Sequence, residues 1–99
     1  MEQQLFRLER IAKLLEETHD ATGPAAYAPY AAAKTLIRDL DDYAHDENLD
    51  YAIEKIGQLD WSVGAMFGFD IDNGHDRHQH YVWALGALDN LRSDLGRRD

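Results

Sequence analysis

Apolar residues recur at helical spacing in four separate segments of this 99-residue chain, and residues that break helices fall between the segments. β-branched residues are few, and strand-like alternation does not persist beyond a few positions. Four helices with short connections pack most simply as an all-α, antiparallel up-down four-helix bundle, which we predict as a single helical domain over 1–99. The stripes are Leu5, Leu8, Ile11, Ala12 and Leu15; Tyr30, Ala33, Ile37, Leu40 and Ala44; Leu49, Ala52, Ile53, Ile56, Leu59, Val63 and Phe67; and Tyr81, Leu85, Leu88, Leu91 and Leu95.

Local signals predict where the helices begin and end. The Thr-Gly-Pro run at 22–24 ends the first helix, and Asp46 or Asn48 is predicted to cap the third. His19 continues the first apolar stripe, so we expect it to be a core residue. The segment 69–74 is predicted to be the longest connection.

The net charge of −9 lies entirely in the middle third of the chain, where ten carboxylates face one base, Lys55. The nine acids and nine bases outside this sector cancel. Such a sector attracts a basic partner and repels phosphate, so direct binding to nucleic acid is not expected. The ten acids are Asp39, Asp41, Asp42, Asp46, Glu47, Asp50, Glu54, Asp60, Asp70 and Asp72.

Six of these acids are predicted to follow the outer sides of the second and third helices and to meet at the turn near residues 46–47. Local bases are scarce, and unpaired like charges weaken a fold, which favours a role in binding over simple solubility. Tyrosines lie among the acids, and Trp61 shares the outer face of the third helix unless it packs on a neighbouring helix. The predicted partner-binding residues are Asp39, Asp42, Tyr43, Asp46, Glu47, Asp50, Tyr51, Glu54 and Trp61.

In size, helix count and its mixture of acids and tyrosines, the chain is similar to the immunity proteins of nuclease bacteriocins. The similarity covers general properties and includes no family motif. Together with the acidic face, it favours a small inhibitor that blocks a basic, nucleic-acid-processing protein. An immunity protein, an antitoxin or a phage antagonist of a host defence system would act in this way.

The fourth helix supports an alternative function, because Val82 and Trp83 fall outside its apolar stripe. Together with Ala87 they predict a self-association surface and a possible homodimer, as in a structural or adaptor bundle. A helix buried more centrally would account for the same residues without any such surface.

A second alternative is a metal-binding protein. His75, Asp76, His78 and His80 follow Asp70 and Asp72, and imidazole with carboxylate can hold zinc. The spacing fixes no third ligand, however, and a polar helix start explains the same residues, so no metal site is predicted.

No catalytic motif is present, so we expect neither an enzyme nor a cofactor. The chain has no cysteine and no glycine-rich phosphate loop, and its serines lack the context of a nucleophile elbow. The first twenty residues are charged throughout and lack a signal-peptide pattern. We therefore expect a soluble, cytoplasmic protein without a membrane partner.

Overall fold

The computed structural model describes residues 2–98, which form four helices and, within that range, no strand. The helices are α1 (Glu2–Thr18), α2 (Pro24–Asp46), α3 (Asp50–Met66) and α4 (Arg77–Arg97). Both α1 and α3 pack against α2 and α4, whereas the backbones of the two diagonal pairs make no close approach. With short connections, this arrangement is an up-down bundle, and the predicted all-α four-helix bundle is confirmed.

The core lies along the bundle axis and receives side chains from every helix. In the first three helices it follows the predicted stripes closely. In α4 the buried face is different, since it contains His80, Ala84 and Ala87, while Tyr81 and Leu85 are only partly buried. The buried apolar residues are Leu8, Ile11, Leu15, Ala26, Ala33, Ile37, Leu40, Ala44, Ala52, Ile56, Leu59, Val63, Ala65, Met66, Phe67, Ala84, Ala87, Leu88, Leu91 and Leu95.

The turn between α2 and α3 is a Schellman motif centred on Asn48. This residue has φ +56°, and its N–H donates to the carbonyl of His45 at 3.2 Å. The next N–H, from Leu49, donates to the carbonyl of Ala44 at 2.9 Å. Asparagine is among the few residues that tolerate this left-handed conformation.

The predicted capping of the third helix by Asp46 or Asn48 is therefore wrong. Asp46 is the last residue of α2, and Asn48 ends that helix instead of starting the next one. Leu49 occupies the N-cap position of α3 and makes no side-chain capping bond. Because only three residues separate α2 from α3, the carboxylates of the last turn of α2 and those of the first turn of α3 flank the same short turn.

A second Schellman motif ends α3 at Gly68, which has φ +84°. The N–H of Phe69 donates to the carbonyl of Gly64 at 2.9 Å, and the N–H of Gly68 donates to that of Ala65 at 3.1 Å. A side chain at residue 68 would also collide with the guanidinium of Arg77. Residues 67–76 then form the longest connection, as predicted, before Asp76 caps α4 by accepting the N–H of Gln79 at 2.7 Å.

None of the helices in the described part of the chain has an apolar stretch long enough to cross a bilayer.

Candidate partner-binding surfaces

Five carboxylates surround the α2–α3 turn and point into solvent. All five are exposed, and none forms a salt bridge with any other residue in the range 2–98. Each helix contributes acids one helical turn apart, so like charges stand next to one another with no local cation between them. This cluster, which we name the acidic turn, consists of Asp42, Asp46, Glu47, Asp50 and Glu54.

Other acids of the middle third are paired with bases. Asp60 Oδ1 accepts a hydrogen bond from Lys34 Nζ at 2.6 Å, across the α2–α3 interface. Asp39 is partly buried, and its Oδ2 lies 3.9 Å from Nε of Arg7 on α1. The expectation that Asp39 is an unpaired acid on the outer side of α2 is therefore wrong, because the neighbouring helix supplies a base.

Two further acids lie at the opposite end of the bundle and bond to the backbone of their own loop. Asp70 Oδ1 accepts the N–H of Ile71 at 3.0 Å, and Asp72 Oδ1 accepts the N–H of Gly74 at 3.0 Å. These carboxylates shape the connection before α4. Asp41 Oδ1, in turn, lies 3.4 Å from Nε2 of His45. Within the middle third, the sequence therefore overstates the number of carboxylates that are left without a partner.

The cations at the end of α4 lie at the same end of the bundle as the acidic turn, but they bind to acids of α4. Asp94 is nearly buried and accepts two hydrogen bonds from Arg98, at 3.2 and 3.3 Å. Arg97 Nη2 lies 3.7 Å from the same carboxylate, and Arg92 Nη1 lies 3.5 Å from Asp89 Oδ1. Within residues 2–98, none of these arginines forms a salt bridge with the acidic turn.

Tyr51 is the aromatic residue exposed beside the acidic turn, with 42% of its surface accessible. The ammonium of Lys55 lies 5.4 Å from the centre of its ring and 3.4 Å from Oε1 of Gln58. The base of the acidic sector thus faces an aromatic ring instead of Asp50 or Glu54. Tyr43, the other predicted tyrosine, is only partly exposed.

Trp61 is half-buried and is held by two contacts at the far end of α3. Its Nε1–H donates to the carbonyl of Ile71 at 2.9 Å, and its ring meets the ring of His80 edge-to-face at 4.8 Å. Much of the surface of Trp61 therefore packs against α4 and the loop before it, as the alternative of packing on a neighbouring helix predicts. Its remaining exposed part lines a groove between α3 and α4.

This α3–α4 groove has a volume of about 620 Å³ and is lined by all three residues predicted for self-association. Val82 and Trp83 are 45% and 39% exposed. Ala87 is only 6% exposed and lies on the floor of the groove. The prediction that it belongs to an exposed self-association surface is therefore wrong. The lining residues are Gln58, Trp61, Ser62, Val82, Trp83, Gly86, Ala87 and Asn90.

His80 is fully buried, which the sequence did not indicate. Its Nε2–H donates to the carbonyl of Asp72 at 3.0 Å, and its ring packs edge-to-face on Trp61 and Trp83. Its Nδ1 is buried without a hydrogen-bond partner. Across residues 2–98, no group of three or more acids or histidines is arranged to hold a metal ion.

His19 is exposed just beyond the end of α1, so the expectation of a core histidine is wrong. It stacks on the ring of Tyr81 with a centroid distance of 4.5 Å. Burial raises the pKa of the Tyr81 phenol, and the nearby carboxylate of Glu16 raises it further.

A second groove, of about 530 Å³, lies between α2 and α3 and has a different chemistry. Its lining carries charges of both signs, from Lys34, Arg38, Asp41 and Asp60. The lining of the α3–α4 groove, in contrast, has two tryptophans and no charged residue. Gly57 also lines this groove, as Gly86 lines the other.

A comparison with protein-family models found no match, and comparisons with curated proteins and with solved structures found none either. The function must therefore be argued from the surfaces of the chain itself.

Proposed function

We propose that this protein is a small inhibitory binding protein that captures a basic surface of another protein through the acidic turn. The partner would be a nucleic-acid-processing protein, because such proteins expose Lys and Arg where the phosphate backbone enters. The proposal places the chain in the class of immunity proteins, antitoxins and anti-defence proteins.

The observation that carries this proposal is the pairing pattern of the carboxylates. Four of the other five acids of the middle third are bound to a base or to the backbone of their own loop, and the fifth, Asp41, lies beside His45. The five of the acidic turn are exposed and form no salt bridge within residues 2–98. Repulsion among them opposes folding, and a basic partner would relieve that repulsion on binding.

The proposed mechanism is electrostatic capture followed by occlusion. Opposite charges raise the association rate at low salt, and the bound bundle covers the site that nucleic acid would use. Exposed Tyr51 contributes an aromatic contact for an arginine or lysine of the partner.

The test is quantitative capture from the native lysate with three versions of the protein as bait. The first is the wild type, and the second is a turn-neutral variant. The third is an α1-neutral control that loses the same number of exposed negative charges on α1 and in the turn that follows it. The turn-neutral variant is Asp42→Asn, Asp46→Asn, Glu47→Gln, Asp50→Asn and Glu54→Gln; the control is Glu2→Gln, Glu9→Gln, Glu16→Gln, Glu17→Gln and Asp20→Asn.

We expect the wild type and the α1-neutral control to retain one basic protein that moderate salt releases, and the turn-neutral variant to lose it. The captured protein should then lose its nucleic-acid-processing activity when the wild type is added. Equal retention by all three baits would contradict the proposal. Equal loss from both variants would show a net-charge effect without a site.

Self-association is a second candidate function, favoured by the exposure of Val82 and Trp83 beside the α3–α4 groove. Sedimentation equilibrium distinguishes the two, because a structural bundle would be a dimer that Trp83→Ala weakens. A monomer at all accessible concentrations would remove this candidate.

A further inference from the structure

The α3–α4 groove is open at Gly86. A side chain added at this residue would meet no atom within 4 Å of its first carbon, so the space above the helix is free. Val82 and Trp83 lie one turn before it on the same helix and remain partly exposed. A volume of about 620 Å³ is sufficient for two or three large side chains of a ligand.

The chemistry of the groove suits an apolar occupant. None of its lining residues is charged, and the indole N–H of Trp61 already donates to Ile71. An aliphatic side chain placed against Trp61 therefore leaves the indole N–H of that residue with its acceptor. The same contact would cover the exposed parts of both tryptophans.

The groove leads directly to the acidic turn. Along the outer side of α3, Trp61 is followed towards the N-terminus by Gln58, Glu54 and Asp50. At about 1.5 Å per residue, Glu54 lies about 10 Å from Trp61 along the axis, and Asp50 about 16 Å. One surface thus changes from apolar to amide to acidic over about three helical turns.

From this gradient we infer that the α3–α4 groove binds an amphipathic basic helix of the partner. Two large apolar residues of that helix, one turn apart, enter between Trp61 and Trp83. Its arginines or lysines, about seven and eleven residues away, meet Glu54 and Asp50. The inference rests on the proposed function, to which it adds the kind of segment recognised.

Charge complementarity favours this occupant over a second copy of the chain. Each copy carries a net charge of −9, and its acidic turn adjoins the groove. A second copy would add another molecule of the same negative net charge, whereas a basic helix neutralises the acidic turn.

The test uses a synthetic, alanine-based peptide of about 18 residues that contains no tryptophan, so that the fluorescence of Trp61 and Trp83 reports binding. It has two leucines one turn apart and two arginines about seven and eleven residues beyond the first leucine. A control peptide of the same composition carries its arginines on the opposite helical face.

Two matched variants locate the binding site. Gly86→Leu fills the α3–α4 groove, and Gly57→Leu makes the same change beside the α2–α3 groove. Both glycines are exposed, helical and free of neighbours within 4 Å, and leucine is the better helix former, so both variants should fold. Circular dichroism checks that they do.

We expect the first peptide to bind the wild type and Gly57→Leu equally, and to bind Gly86→Leu at least about tenfold more weakly. The control peptide should also bind at least about tenfold more weakly, a difference of about 1.4 kcal/mol. Equal binding of both peptides, equal effects of the two variants, or no binding up to about 1 mM would overturn the inference. Sedimentation showing a wild-type dimer that Gly86→Leu dissociates would also overturn it, in favour of a second copy.

The two proposals fail in different ways. If the peptide test fails while the turn-neutral bait still loses its basic protein, the groove inference is wrong and capture by the acidic turn stands. If the turn-neutral bait retains everything that the wild type retains, the proposed function is wrong.

Discussion

At the scale of single residues, Tyr81 couples the stability of the fold to pH. Burial raises the pKa of its phenol above the ordinary value, and the carboxylate of Glu16 acts in the same direction. The unfolded chain therefore ionises first as the pH rises. Tyr81 should leave stability unchanged below about pH 10 and lower it as the pH rises through the folded-state pKa.

We predict that Tyr81→Phe reduces the loss of stability above about pH 10, because phenylalanine has no proton to lose. Urea denaturation at a series of alkaline pH values measures this. Tyr27→Phe, at an exposed position, is the control and should leave the decline nearly unchanged. An unchanged decline in Tyr81→Phe would show that another group is responsible.

Asn48 is a second residue whose role depends on its backbone conformation. We predict that Asn48→Ala lowers the free energy of unfolding by about 1 kcal/mol, because alanine is strained at φ +56°, and that Asn48→Gly does not. Asn90→Ala, at an exposed position inside α4, should be neutral or stabilising. Equal losses from both alanine variants in urea denaturation would contradict the capping role.

At the scale of elements, the connection 67–76 is held by one side chain from each helix that it joins. Trp61 of α3 donates to the carbonyl of Ile71, and His80 of α4 donates to the carbonyl of Asp72. The aromatic rings of these two donors also pack on each other. The loop is therefore tied to the same tryptophan that lines the α3–α4 groove.

We predict that Trp61→Phe accelerates amide hydrogen exchange in residues 67–76 and costs about 1 kcal/mol, because it removes one donor and keeps an aromatic ring. Trp83→Phe is the matched control, since the hydrogen bonds that hold the loop come from Trp61 and His80. Hydrogen-exchange mass spectrometry compares the two. Equal exchange in both variants would contradict the anchoring role of Trp61.

Helix periodicity predicted the bundle because α1, α2 and α3 bury large aliphatic residues at regular spacing. It predicted the face of α4 only in part: Leu88, Leu91 and Leu95 are buried as predicted, whereas Tyr81 and Leu85 are only partly buried. The sequence pattern missed His80, Ala84 and Ala87, which complete the buried face. A stripe of positions 80, 84, 87, 88, 91 and 95 has helical spacing, but small residues and a histidine give a weak hydrophobic signal.

Contacts between helices were beyond the reach of the sequence pattern. The pairs Arg7–Asp39 and Lys34–Asp60 depend on the axial register of neighbouring helices, which periodicity does not determine. The candidate site was therefore predicted in outline. The acids near the α2–α3 turn were expected from the sequence. That Trp61 and Trp83 line the same α3–α4 groove depends on how the two helices pack, which the sequence pattern does not determine.

At the scale of the whole molecule, the clustering of five exposed carboxylates at the acidic turn has a thermodynamic consequence. We predict that the turn-neutral variant melts at a higher temperature than the wild type at low salt, because it removes repulsion among five unpaired acids. Added salt should reduce the difference, since it screens exposed charges. The α1-neutral variant should gain less, because Glu17 lies 4.0 Å from Lys13. An equal gain in melting temperature for both variants at low salt would mean that repulsion within the acidic turn destabilises the fold no more than repulsion among other exposed acids.

The most direct test of the central claim is the salt dependence of affinity for the captured basic protein, measured for the wild type and the turn-neutral variant. Electrostatic capture predicts that the wild-type affinity falls steeply with salt and that the variant binds more weakly with a flatter dependence. The same affinity and the same slope for both proteins would contradict capture through the acidic turn.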